Sequence, residues 1–388
     1  DRMVKRTAPG VLEDIGNFFG TGVTRNDQGS SLMGAIMVDS NGGAGYVLTD
    51  SSFTQITDAF FPPSRDVAVI DGYAVAVPVD GGPCVYSSAG DFLTWPAANF
   101  FDAETSPDIN RGVRNWRNYL FVMGTDTTEQ FVTTGNSQAP FQRVEGGSIP
   151  VGLVGSHIEY GPSFAFLGKR KGNNYGAFVM GSGDATKISN AAIEEILATY
   201  TADELAQSTA NRVFIHGVDV LVFGLQRHTL AFYGEWAIFK TGVDDNVDET
   251  WIAKTILFHE DRYIVGCDGA VGLLEGKLDL GAEFSKGFDT FARTSRGKYF
   301  KLSNLEFDCL TGQEATEYSV SLSLSRDNRI WSQQFWRYLG ALGNYQRRVN
   351  FNYTGGLGLY ESFVGIRVRC NNDVTFALDS MQIGRAHV

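Results

Sequence analysis

Between about Leu32 and Leu274 the chain repeats one arrangement: an apolar run, a tight turn rich in Gly, Asp or Asn, and a second apolar run. The instances are AIMVDSNGGAGYVLT, VAVIDGYAVAVPV, GVRNWRNYLFVMG, GSHIEYGPSFAFLG, RVFIHGVDVLVFG and TILFHEDRYIVGC. Each reads as a β-hairpin, and their turns recur every few tens of residues, the period of propeller blades. Further strand pairs follow several of them, as in TEQFVTTG, YGAFVMGS, TLAFYGEWAIFK and AVGLLEG, which approaches four strands per unit. A small sheet cannot bury its own faces or protect its own edges, whereas radial repetition does both. These units predict an all-β chain built on a six-bladed β-propeller over residues 31–280, with five blades as the alternative because the first unit is the weakest.

Two departures from the repeat matter. SNAAIEEILATY places Ala192, Ile193, Ile196, Leu197 and Tyr200 on one helical face, and TADELAQST opens with a capping-box spacing, Thr201 to Glu204. A small helical insertion is therefore expected near 189–209, with a packing role. After about Gly281 the pattern changes to longer strands with polar turns: YFKLSNLEFDCL, TEYSVSLSLS, RRVNFNY, FVGIRVRC and TFALDSMQI. That predicts an antiparallel β-sandwich-like domain over 281–388, entered through a linker, GAEFSKGFDTFARTSRG. Residues 1–30 read as an N-terminal arm or leader.

The formal charge of −12 disfavours a protein that grips nucleic acid through its phosphates, since such affinity comes from Lys and Arg. An acidic wall would instead let duplex DNA slide past. No apolar run approaches the roughly 20 residues that cross a bilayer, so no membrane role is expected. Cys84, Cys267, Cys309 and Cys370 are scattered without a C-x-x-C pair, and His157, His216, His228, His259 and His387 have no metal-ligand spacing. No catalytic, metal or cofactor site is read from the sequence. Ser325-x-Asp327-x-x-x-Trp331 resembles the Asp-box of sialidase-type propellers, so a glycan-binding or glycan-cleaving propeller is the competing reading; the box itself is a structural turn.

One segment, SRDNRIWSQQFWRYLGALGNYQRRV, crowds Trp331, Trp336, Tyr345 and several arginines into an acidic chain. Here the chain resembles the packaged-DNA stabilisation proteins of short-tailed bacteriophages, which form the tail hub or nozzle. The likeness is carried by Asp327, Trp331, Ser332, Trp336, Arg337, Leu339, Gly340, Gly343, Tyr345, Arg348 and Val349. Three more blocks follow the family's order: Trp95, Phe101, Ala103, Glu104, Ser106, Pro107 and Asp108; Gly124, Thr128, Glu129, Gly135, Pro140, Phe141, Arg143, Gly146 and Ile149; and Ile188, Ser189, Ala192, Ile193 and Glu194. The likeness runs from about Val67 onward, and the first sixty or so residues match poorly.

The resemblance implies a structural virion protein, not an enzyme, assembled in the host cytoplasm as a hexameric ring. Its implied partners are the portal and head-completion adaptor proteins, tail needle, spike or fibre proteins, and passing duplex DNA bound without sequence specificity. Candidate interface residues are Trp331, Trp336, Arg337, Tyr345, Arg347 and Arg348, together with the basic run Lys169, Arg170 and Lys171. Aromatic side chains and Arg are the residue types that protein interfaces favour.

Overall fold

The structure is a computed structural model of the chain; it describes residues 2–8, 11–19, 22–30, 32–103, 108–172, 174–181, 183–215, 217–241, 250–275, 286–293, 299–313, 318–352, 357–370 and 378–387. Of the residues named above, Glu104, Ser106, Pro107, His216 and parts of the expected linker lie outside these. The chain divides into two compact units, residues 1–239 with 254–258, and residues 240–253 with 259–388.

In the first unit, after a two-stranded hairpin, four-stranded antiparallel sheets follow one another in chain order. We call them blades I to V. Their first strands are Thr24–Gln28, Ser64–Ile70, Asn110–Trp116, Gly152–Tyr160 and Thr209–Ile215. A sixth sheet, with three described strands, begins at Thr255–His259, and its other two strands, Arg262–Cys267 and Ala270–Leu273, fall in the second unit. Six successive sheets correspond to the six hairpin units in the sequence. Blade I starts at Thr24, within the segment expected to be an arm.

The apolar runs are continuous because the inner blades II to IV are buried on both faces. Along Ser64–Ile70, Val67 and Val69 pack with Ile36, Val38 and Val47 of blade I, while Ala68 and Ile70 pack with Val113, Leu120 and Val122 of blade III. Side chains alternate across a strand, so one strand feeds two interfaces. The pattern recurs between blades III and IV, where Phe121 and Met123 meet Phe164, Phe166 and Phe178, and between IV and V, where Leu167 and Ala177 meet Leu221, Phe223 and Leu230. Several hairpin turns place both central residues in the left-handed region, as at Asp71 (φ 46°) and Gly72 (φ 81°), or Arg117 (φ 51°) and Asn118 (φ 62°). This is the turn whose twist matches paired strands.

The helical insertion is present as α1, Ala191–Leu197, and α2, Ala202–Ala206. Asn190 caps α1, and Thr201 with Glu204 forms the expected capping box on α2. Ile193, Leu197, Tyr200 and Leu205 are buried in the core shared by blades IV and V, which is a packing role.

The second unit contains two four-stranded antiparallel sheets. One runs Lys286–Arg293, Phe363–Cys370, Ser319–Ser325 and Phe335–Tyr338. In the other, the long strand Tyr299–Cys309 pairs with Val349–Asn352 and Gly358–Glu361, and also with Leu378–His387. Phe300, Leu302, Leu305, Phe307 and Phe351 of one sheet share a single core with Val320, Leu322, Val364, Ile366 and Val368 of the other. Part of the expected linker, Lys286–Arg293, is itself a strand in register with Phe363–Cys370. Its two phenylalanines, Phe288 and Phe291, stand three residues apart, off the period of two, so the segment reads weakly as a strand on its own.

Candidate functional site

The first strand of each blade lies at the end of its sheet, so half of its backbone groups have no strand partner. Such groups must be satisfied by other means when buried. Here polar side chains of neighbouring blades do it. Asp27 Oδ2 accepts from Val69 N at 2.8 Å, and Asp66 Oδ2 accepts from Val113 N at 2.9 Å. Asn211 Oδ1 accepts from Ile256 N at 2.8 Å while its Nδ2 donates to Lys254 O at 3.0 Å. Ser208 Oγ accepts from Ser156 N at 2.9 Å, and Asn115 Nδ2 donates to Val69 O at 2.7 Å.

Two links reach past an intervening blade. His157 Nε2 of blade IV donates to Asp66 Oδ2 of blade II at 2.8 Å, with both side chains buried. Arg25 of blade I donates through Nη2 to Ser208 O at 3.2 Å, just before blade V. Side chains of blades I, II and IV thus converge near the propeller axis on one another and on backbone groups of blade III and of the residue before blade V. Gly112 makes room for this, since a Cβ there would lie 2.8 Å from Asp66 Oδ2 and 2.4 Å from a Leu153 methyl. Arg65 and Arg111 complete the wall of a cavity of about 40 Å³ that Arg25, Asp66, Leu153 and His157 also line.

The axial groups titrate abnormally. Burial pushes the Asp66 carboxyl up, but the charge and hydrogen bond of His157, the charge of Arg25 and the Val113 N–H together hold it below the ordinary carboxylate range. Asp27, in the equivalent linking role one blade earlier, is raised: its burial outweighs the N–H groups of Val69 and Gln28 and the charge of Arg114, and Asp66 repels it. Burial lowers both Arg25 and Arg65 from their ordinary values, and Arg111 adds like-charge repulsion at Arg65, opposed by Asp66, Asp80 and Asp203. None of this axial set was singled out as a site by sequence reasoning. The only available signal is a charged residue inside otherwise apolar first strands, as in SRDVAVI.

The sequence-predicted interface residues fall in both units. In the first, Lys169 Nζ pairs with Asp126 at 3.4 Å, Arg170 pairs with Asp184 at 3.0 Å and also donates to Ala185 O, and Lys171 is exposed at the hairpin turn. In the second, Asp327 closes the hairpin turn as an Asp-box does: its Oδ1 accepts from the N–H groups of Arg329 and Ile330, both at 2.9 Å. Trp331 lies under the Arg367 guanidinium, 4.1 Å from its ring centre. Arg337 donates to Asn350 O and Arg347 to Tyr338 O, so both serve the fold directly. Arg348 forks onto Glu306 at 2.6 and 2.7 Å. Tyr345, Arg347 and Arg348 come together along an open groove of about 290 Å³ with Glu306, Asp308 and Cys309. Trp336 and Tyr345 keep 44% and 60% of their surface exposed, which marks them as contact candidates.

Residues 1–279 match the family described as "Bacteriophage P22 Gp10, beta-propeller", and residues 287–385 match "Bacteriophage P22 Gp10, beta-sandwich". The match thus includes the first sixty residues, where inspection finds little likeness. The tail hub protein gp10 of Salmonella phage P22 is 22% identical over 299 residues, covering 73% of this chain. The chain spans 62% of that relative's length. Among solved structures, an exo-β-1,3-galactanase from Phanerochaete chrysosporium overlaps 82% of this chain and 95% of its own at 10% identity and a TM-score of 0.30. Sqt1 of Saccharomyces cerevisiae overlaps 65% of this chain and 82% of its own at 11% identity and a TM-score of 0.40. Likenesses this loose carry no functional argument.

Proposed function

Because the chain belongs to the bacteriophage P22 Gp10 family, we propose that it is a structural component of a short-tailed phage virion, a tail hub, and not an enzyme. The observation that carries this reading is the family match over both units. In the role we propose, copies of the chain form a hexameric ring that extends the portal channel below the head-completion adaptor. The ring retains the packaged genome and seats the needle, spike or fibre proteins that act in ejection. One heterologous interface repeated about an axis closes such a ring without further design. The chain's formal charge of −12 suits a conduit for duplex DNA, because a wall of the same sign as DNA does not trap it.

The segment from Ser325 to Val349 supplies the proposed contact surface. Ile330, Trp336, Leu342 and Tyr345 are all exposed there, beside arginines held in place by backbone carbonyls. At the propeller axis the carboxylate of Asp66 is committed to Val113 and His157, which is unlike the pair of carboxylates facing a pocket that glycoside hydrolysis uses.

The test is assembly. Trp336→Ala should leave both units folded by circular dichroism while lowering incorporation into tails at least several-fold, measured on particles purified from a complementation strain. A strictly monomeric protein that is absent from purified particles would overturn the hub reading.

A further inference from the structure

The axial cavity holds more positive charge than its neighbours neutralise. Arg25, Arg65 and Arg111 line it, against one carboxylate in its wall, that of Asp66. Asp66 is already taken by His157 and Val113. Arg25 and Arg65 spend donors on backbone carbonyls, those of Ser208 and Val79. Asp80 and Asp203 favour the charge on Arg65 from outside the cavity wall. Among the described residues, the side chain of Arg111 has no hydrogen bond or ion pair.

Two further polar atoms are left without a partner at the same place, one of them a guanidinium donor. Nδ1 of His157, on a side chain only 8% exposed, and Nε of Arg65 are both buried without a hydrogen-bond partner among the described residues. Buried polar atoms are rarely left in that state, and unsatisfied ones cost free energy. A shared ligand able to accept from guanidinium groups would satisfy Arg65 Nε and the Arg111 side chain together. The space of about 40 Å³ suits a few waters or one small polyatomic ion. Guanidinium groups match the geometry of oxyanions, to which they can present paired N–H donors.

We propose that the propeller axis is a binding site for a small oxyanion of the inorganic phosphate class, held chiefly by Arg111 with Arg65 and Arg25. The anion bridges first strands of blades I, II and III and offsets the repulsion between Arg65 and Arg111. It acts as a structural pin: a ligand that binds only the folded state raises stability by RT ln(1 + L/Kd), where L is the free ligand concentration. The cavity is too small for a duplex, so the site does not require DNA.

The test uses the full chain and sodium phosphate as the probe, at millimolar concentration and constant ionic strength held with chloride. The melting transition of the propeller should rise with the logarithm of phosphate concentration, by roughly 5–10 °C once phosphate exceeds its Kd about a hundredfold. Arg111→Gln should lose most of that rise while melting, without phosphate, within a degree or two of the parent. Should the phosphate gain persist undiminished in Arg111→Gln, or chloride alone reproduce it, the site is refuted. A 5′-phosphorylated oligonucleotide arm separates the sources: a shift with the oligonucleotide and none with inorganic phosphate would also overturn the proposal. If Arg111→Gln fails to fold, Arg111→Lys should keep a weakened phosphate response, and an unchanged one counts against the assignment.

Discussion

The two units bury apolar residues alike and polar residues differently. Among the described residues, the propeller unit buries the carboxylates Asp39, Asp66 and Glu129 together with Asn110 and Asn211, whereas the sandwich unit buries only hydroxyl residues, Thr311, Ser321, Ser323 and Ser325. The cause is architectural. Two stacked sheets meet over a continuous apolar face, as Phe300 and Phe351 do with Leu322 and Ile366, and their edges stay at the rim. Blades converge instead on the edges of their first strands, where unpaired N–H groups must find acceptors without solvent. Charge is used at that point because a carboxylate with two oxygens can hold its own strand and a neighbour's together, as Asp66 does with Val67 and Val113.

The largest effect should come from Asp66→Ala. It removes the acceptor for Val113 N and leaves His157 and Arg25 without their counter-charge, a loss of about 3–5 kcal/mol when one partner of a buried pair is deleted. Leu322→Ala in the sandwich core should cost about 2–5 kcal/mol through an ordinary cavity. The magnitudes overlap, so the comparison rests on which transition moves. Calorimetry with limited proteolysis should show Asp66→Ala lowering only the propeller transition and Leu322→Ala only the sandwich transition. Equal movement of both transitions by either variant would break the contrast.

Acid sharpens the same contrast with a smaller effect. The folded-state value of Asp66 lies below that of the unfolded chain, so its contribution is complete above the unfolded carboxylate value of about 4 and is lost as pH falls through the folded value. Urea unfolding at pH 7 and pH 3 should therefore show a loss in the propeller transition that is largely missing from Asp66→Asn. Parallel acid losses in the parent and the variant would mean that other carboxylates carry the effect.

Much of this organisation is legible in the sequence, and the reason is periodicity. Hairpin runs such as VAVIDGYAVAVPV encode both strands and turn, and the Asn190 and Thr201 caps encode the helices, because those signals are local. The family blocks prove largely structural: Trp95 is buried with its indole N–H on Phe92 O, and Asp108 accepts from the N–H groups of Asp126 and Thr127. The axial set is not legible in this way. Asp66 and His157 are 91 residues apart, and Arg25 and Ser208 are 183 apart, so only the closure of successive blades brings them together. Arg117 and Glu260 were equally hidden, since neither residue type advertises the left-handed conformation it adopts. Strand Phe335–Tyr338 reads as part of an aromatic cluster because its flanking Gln and Gly residues obscure its ends.

The smallest expected effect is also the most discriminating within the propeller itself. Asp27 and Asp66 perform one linking task in adjacent blades, yet their carboxyls move in opposite directions. Asp66 has His157 and Arg25 to favour its charge; Asp27 is dominated by burial and faces Asp66 as a like charge. A raised folded-state value means that the Asp27 contribution is greatest below the unfolded value and declines as pH rises through the folded one. Asp27→Asn keeps an oxygen for Val69 N and removes the buried charge, so its stability should lie within about 1 kcal/mol of the parent. Its advantage over the parent should grow as pH rises from 4.5 to 7, whereas the deficit of Asp66→Asn should widen between about pH 3 and 4.5 and stay level above that. Measured pH slopes of the same sign for the two substitutions would show that the axial carboxylates are equivalent after all, and that the charge asymmetry around the axis has no energetic consequence.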